Sequence, residues 1–347
     1  MKKRVWKRTL AAALSVALVG SLAAGCKKKN AAGGSSGKVD TVTIGTQEMP
    51  NDEEIAKAKN YFEKKMGVKV KIVNFDSGKD VNNALAAKSI DFGLEGTTPS
   101  ALAIATDIPV QVIWVHEILG DIEALAVRKK DNIRSIKDLK GKKIAVPFAT
   151  TSHYCLLRYL KSQNISENDV TLLDMDPSGA YAAWKRGDVD AAWIWRPTLQ
   201  KVLDDGGKIL VSNKDAADEG YMTANLEVVR TDFAEAHPDI VTKYIQALME
   251  AQNLYKNNKD DALTSLSAQM GLDKSEVQEQ IKGSLWLTAK EQLESKYLGT
   301  GSKKGELADT LYDTANFLKD QKNINNVPDK SVFEERVNPE FIEDALK

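Results

Sequence analysis

The sequence predicts an α/β fold of two lobes, the second inserted into the first, with a hinge and an interlobe cleft. Three observations carry this. Short apolar or alternating runs and amphipathic helical segments take turns along residues 41–230, the grammar of a parallel α/β sheet. The pattern restarts after the polar stretch 128–131. From Phe233 onward nearly everything has helical apolar spacing, so these helices would pack back onto the first lobe.

Residues 41–45 alternate and read as a first strand. The polar turn from Gln47 and Glu48 to Asp52 leads into a helix whose face is Ile55, Ala58, Tyr61, Phe62 and Met66, closed by Gly67. Strands follow at 68–73, 90–93, 110–115 and 124–127, with a helix marked by Val81, Ala84, Leu85 and Ala86. In the second lobe, strands are expected at 143–146, 170–175, 191–195 and 208–211, and a helix at 180–186. Residues 226–229 read as a return strand. Chain crossings near 125–130 and 225–230 would form the hinge.

Two turns have the chemistry of an anion site. The first follows the strand ending at Val146: Pro147, then Thr150, Thr151, Ser152 and His153, then a helix with Tyr154, Leu156, Leu157 and Leu160 on one face. The first N–H groups of a helix lack intrahelical partners, and the dipole there favours negative charge. Taken alone, Thr151 or Ser152 reads as an N-cap. The second turn repeats the grammar: Gly96, Thr97, Thr98 and Pro99 lie between a strand and a small apolar helix. Ligand sites in such sheets lie beyond the carboxyl ends of the strands, so the two turns would face one ligand across the cleft.

The chain starts with five basic residues, an apolar run and small residues leading to Cys26. The apolar run is too short to span a membrane and reads as an export signal. Its end resembles a bacterial lipoprotein lipobox, which implies a lipid on Cys26 and firm anchoring. The Gly/Ser-rich stretch that follows is a flexible tether. The resulting organisation is 1–25 signal, 26–38 tether, 39–127 first part of lobe one, 128–226 lobe two, and 227–347 lobe-one return and C-terminal helices. Loss of the signal takes five bases and no acids, moving the net charge from −1 to −6, which argues against nucleic acid as a partner. With Cys26 lipidated, Cys155 has no partner and reads as a small buried hydrophobe.

Several stretches together resemble one family, the substrate-binding lipoproteins of taurine and alkanesulfonate ABC transporters. They include Gly45 with Gln47, Phe75 to Gly78, Gly96 to Pro99, Gly120 with Glu123 to Leu125, Lys142 to Phe148, Thr151 with His153 and Tyr154, Ala182 to Trp184 with Arg186 to Asp188, Trp195 with Pro197, Asp232 to Glu235 with His237 and Pro238, and Leu287 to Ala289. The resemblance covers most of residues 40–320 and is specific for the nitrate/sulfonate/taurine group. It implies a type II periplasmic-binding-protein fold without cofactor or catalysis, a monomer anchored outside the cytoplasmic membrane, and permease and ATPase partners.

By the same resemblance, Thr97, Thr98, Thr151, Ser152, His153 and Tyr154 line the sulfonate end and Trp195 walls the cleft. Glu123 accepts from an ammonium group. A second acidic position of the family falls at Asn225, so Glu48 or Glu117 could supply the charge instead, with Gln47 beside them. Nitrate, a pyrimidine precursor or a sensor's ligand are the alternatives. For an enzyme, the three His at 116, 153 and 237 have no metal-ligand spacing, no Gly-x-Ser-x-Gly elbow stands between a strand and a helix, and no phosphate-binding loop is present.

Overall fold

The computed structural model describes residues 39–347; the expected signal and the whole of the tether, Cys26 included, lie outside them. In chain order the strands are β1 (Thr41–Thr46), β2 (Lys69–Asn74), β3 (Phe92–Gly96), β4 (Val110–Leu119), β5 (Glu123–Arg128), β6 (Lys143–Val146), β7 (Thr171–Asp174), β8 (Ala191–Trp195), β9 (Gly207–Ser212), β10 (Ala224–Arg230) and β11 (Ser284–Leu285). The helices that position the site are α1 (Asp52–Ala58), α2 (Tyr61–Met66), α3 (Gly78–Ala86), α4 (Thr97–Ala105), α5 (Thr151–Ser162), α6 (Pro177–Arg186), α7 (Thr198–Asp204), α8 (Asn213–Asp218), α9 (Thr231–Ala236) and α10 (Pro238–Asn257). The helix expected over 55–66 is two, because Asn60 takes a left-handed φ of 56° between them; Asn tolerates that conformation better than most residues.

One sheet runs β11-β4-β10-β3-β1-β2 and the other β7-β6-β8-β5-β9. Each has a parallel core (β2, β1 and β3; β7, β6 and β8). Into each core one antiparallel strand is threaded. β10 lies between β3 and β4, and β5 between β8 and β9. Both sheets are therefore mixed, where the strand–helix alternation suggested parallel ones. A strand arriving from the other lobe enters at the cleft end, so it runs against strands that finish there. Because β5 pairs in the second sheet, the chain crosses between Leu119 and Glu123, earlier than 125–130. It returns just before Ala224, ahead of the expected 225–230.

The crossings are tied to each other and to a third segment. The Leu119 N–H donates to the Thr223 carbonyl at 2.9 Å and the Ile122 N–H to the Gly283 carbonyl at 3.0 Å. A Cβ on Gly283 would lie 2.5 Å from the Ile122 nitrogen, so only glycine permits this approach. On the far face of the first sheet, Tyr244 of α10 stacks on Phe92 at 4.2 Å and on Phe62 at 4.6 Å. Such aromatic pairs add about 0.5–1.5 kcal/mol beyond burial.

A buried polar network ties α1 to that sheet. His116 Nδ1 lies 2.6 Å from Asp52 and Nε2 2.9 Å from Glu227. The Tyr244 hydroxyl donates to Glu227 at 2.8 Å, and Thr46 Oγ1 donates to Glu53 at 2.5 Å. Trp114 Nε1 and Gln252 Nε2 donate to Asp52 at 3.0 and 2.9 Å. Burial works against a charged His116, but Asp52 and Glu227 outweigh it and hold the imidazole well above its ordinary value. Burial, with Glu227 beside it, pushes Glu53 up to about 8.

The folded chain thus keeps a proton on Glu53 that the unfolded chain releases near its ordinary value of 4.5. The stability this provides is complete below that value and is lost as pH rises through about 8. Melting followed by circular dichroism should show the transition temperature falling over this range. Glu53→Gln, which stays neutral, should flatten the fall; an unchanged slope would show that Glu53 does not hold that proton.

Candidate functional site

The two sheets point their cleft ends at a narrow cavity of about 30 Å³. The first lobe contributes Gln47, Met49, Gly96 and Asn225, and the second Glu123, Thr150, Thr151, Trp195 and Arg196. Chain direction explains the set: these residues lie at or next to strand ends that face the other lobe.

Gln47 is held by its Nε2, which donates to the Leu94 carbonyl at 2.9 Å. Glu123 opens β5 and accepts from Thr151 Oγ1 at 2.9 Å and Ser152 Oγ at 2.7 Å. Burial raises its pKa, and the two hydroxyls pull the other way. The expectation that Thr151 and Ser152 donate hydroxyl protons to an anion therefore changes, because those protons are committed to Glu123. What α5 still offers is backbone. The Thr150 side chain caps the helix by accepting the His153 N–H at 3.4 Å, which leaves the N–H groups of Thr151 and Ser152 at the helix start. Ala149, at φ 59°, turns the chain from β6 into this cap.

Only the first turn of α5 faces the cavity. His153 stacks on Phe148 at 4.4 Å and meets Phe317 edge-on at 6.2 Å. Burial pulls it down to about 4, so it is neutral. Tyr154 meets Phe317 edge-on at 5.0 Å. Both are among the packed side chains, since successive helix positions turn about 100° and carry them off the cleft face. Thr97 and Thr98 are also buried, at 1% and 0% exposure. At their turn the cavity is lined by Gly96 and Pro99 instead.

The two tryptophans of β8 point opposite ways, as strand alternation requires. Trp193 is fully buried and its Nε1 donates to Asn213 at 3.0 Å, whereas Trp195 lines the cavity. Glu48 is exposed in a wider outer cleft of about 220 Å³ on the other side of Trp195 and Gln47. Asn225 lines the cavity floor, its Nδ2 donating to Glu117 at 2.5 Å. Glu117 is fully buried behind it, and burial pushes it up to about 7. Arg196 was not among the expected residues. Among the described residues it is the one cation that lines the cavity, 9% exposed, and its guanidinium bonds Gln200. Its signal in the sequence is only an Arg between Trp195 and Pro197 at a strand end.

The lobes touch at Gly96. A Cβ there would lie 2.8 Å from Thr151 Cγ2, closer than side chains approach.

Two α/β lobes, strands crossing between them and a polar cavity at the crossing define a solute-binding protein of the type II periplasmic-binding-protein fold. The chain belongs to the NMT1/THI5-like family, whose profile matches residues 54–262. It is 34% identical over 289 residues to the taurine-binding periplasmic protein of Escherichia coli K12, covering 82% of this chain and 87% of that one. In structure it is similar to the periplasmic aliphatic sulphonate binding protein SsuA from E. coli, with a TM-score of 0.71, 22% identity, and 88% and 100% of the two chains covered. The desulfurization enzyme DSZB is similar too, with a TM-score of 0.63, 16% identity, and 89% and 99% covered. At these identities the structural likenesses speak for the fold.

Gly96→Val should keep the lobes apart. Small-angle X-ray scattering should then give a larger radius of gyration than the wild type, at an unchanged melting temperature. An equal radius would mean that the Gly96–Thr151 approach does not limit closure.

Proposed function

We propose that this chain is the extracytoplasmic solute-binding component of an ABC importer, which encloses a small sulfonate such as taurine between its lobes and delivers it to a permease. The observation that carries this is the pairing in one cavity of Arg196 with Glu123, the one cation and the one carboxylate that line it among the described residues. A sulfonate carries a permanent charge over three acceptor oxygens. Arg196 and the free N–H groups at the start of α5 supply donors of matching character. Glu123 and Asn225 supply acceptors for an ammonium two carbons away, and Trp195 covers the carbon chain. The 34% identical relative is named for taurine, which supports the same choice.

Binding favours the closed arrangement because the donors and acceptors come from both lobes. A catalytic reading has less support. Cys155 is fully buried and burial pushes its thiol well up, while His153 is packed away from the cavity. The lipobox-like start supports export, with Cys26 lipidated and the body held at the outer face of the cytoplasmic membrane as a monomer. Cys26→Ala should then move the chain from the membrane fraction to the soluble fraction on cell fractionation; a variant still pelleting with membranes would remove the anchor.

Isothermal titration of the full chain with taurine, longer alkanesulfonates, an aromatic sulfonate, nitrate and a pyrimidine tests the reading. Taurine or another alkanesulfonate should bind, and Arg196→Ala should weaken it at least about tenfold, the scale of one charge-assisted hydrogen bond. Thr151→Ala with Ser152→Ala should weaken it comparably, by releasing Glu123. Heat from nitrate or the pyrimidine alone would overturn the sulfonate assignment.

A further inference from the structure

β4 contains one more residue than β10 needs on each side of Val115. The register runs Asn225 to Glu117, then Leu226 to Val115, passing over His116; it shifts again between Glu227 and Val228. Asn225 and Glu227 are two apart on one strand, so their side chains leave the same face. Both are nevertheless met by consecutive residues of β4: Glu117 holds Asn225 at 2.5 Å, and His116 holds Glu227 at 2.9 Å. A bulge is what lets neighbours on one strand serve one face, and bulges re-aim side chains beside sites.

The consequence falls on the Asn225 amide. Glu117 Oε1 accepts from the Asn225 Nδ2 at 2.5 Å, so Glu117 takes the NH₂ side of the amide. Met49 Sδ, also an acceptor, lies on that same side at 2.9 Å from Nδ2. The carbonyl oxygen is thereby turned the other way. It lies 3.7 Å from where a Cβ on Gly96 would stand, and Gly96 lines the cavity. With the amide reversed, Asn225 would offer the ligand a donor and repel an ammonium group.

We propose that Glu117 is a positioning residue that makes the site select aminated sulfonates over unaminated ones, by aiming the Asn225 carbonyl into the cavity opposite Glu123. Glu117 itself does not touch the ligand. The inference rests on the sulfonate reading above and adds which chemical group the site distinguishes, and by which buried residue.

The test is a ratio of affinities. Taurine and ethanesulfonate differ only by the ammonium group, and both are titrated into the full chain and its variants. The wild type should prefer taurine. Glu117→Ala should lower that preference at least about tenfold while ethanesulfonate binds within about threefold of wild type. Glu117→Gln should keep the preference, because a glutamine carbonyl still accepts from the Asn225 NH₂. An unchanged ratio in Glu117→Ala, or an equal loss for both ligands, would overturn the proposal. Should Glu117→Ala fail to fold, Asn225→Ala should lower the taurine-to-ethanesulfonate preference in the same direction, and a retained preference there would overturn it equally. A wild type that binds both sulfonates alike would sink the selectivity and leave the sulfonate site standing. A wild type that binds neither would remove both.

Discussion

The site depends on one constraint of topology: β10, returning from the second lobe, must enter the first sheet between β3 and β4 and run against both. Two hydrogen-bonded neighbours leave it no freedom of register. That register sets Asn225 opposite Gly96 on one side and Glu117 on the other. It also carries Glu227 to His116, and through His116 to Asp52 at the start of α1. The cavity floor, the contact point of the lobes and the buried polar network thus share one strand.

Most of the architecture was legible because its signals are local. Alternation of strands and helices, the restart after residue 131 and the helical tail each follow from side-chain period within a few residues. The turn from Pro147 to His153 was legible for the same reason: strand, cap and helix are contiguous. Trp195 could be separated from Trp193 because alternation along a strand is reliable. What escaped depends on pairing between distant segments. Nothing local says that β5 belongs to the second sheet, since its apolar run suits either. The Thr151 and Ser152 hydroxyls looked free, and only the fold brings Glu123 to them. Tyr154 and His153 were read with the turn, but helical rotation hides them in packing. Arg196 lies between Trp195 and Pro197, which matched the family without drawing attention to the residue between them.

The charged groups at the cleft illustrate how a mildly acidic body can hold an anion. Bulk field does not help, so the work falls to placement: one guanidinium held by Gln200 and two unpaired backbone donors. Glu117 is pushed to about 7 and Glu123 is raised as well, each under hydrogen bonds from neutral partners. Neutral donors orient a carboxylate without cancelling it, leaving it able to respond to a cationic group.

The Gly283 contact has a mechanical side. A body tied to another at two points can still swing about the line through them and twist across it. Here the two ties are the crossings before Glu123 and before Ala224, and the Ile122–Gly283 hydrogen bond is a third, from a segment outside both. Such a bracket resists twist more than swing. The lobes then approach along one arc, so every closed molecule presents the same outer face. Any partner that reads that face meets a single geometry, and lengthening the loop at Gly283 would alter the direction of approach before it altered its extent.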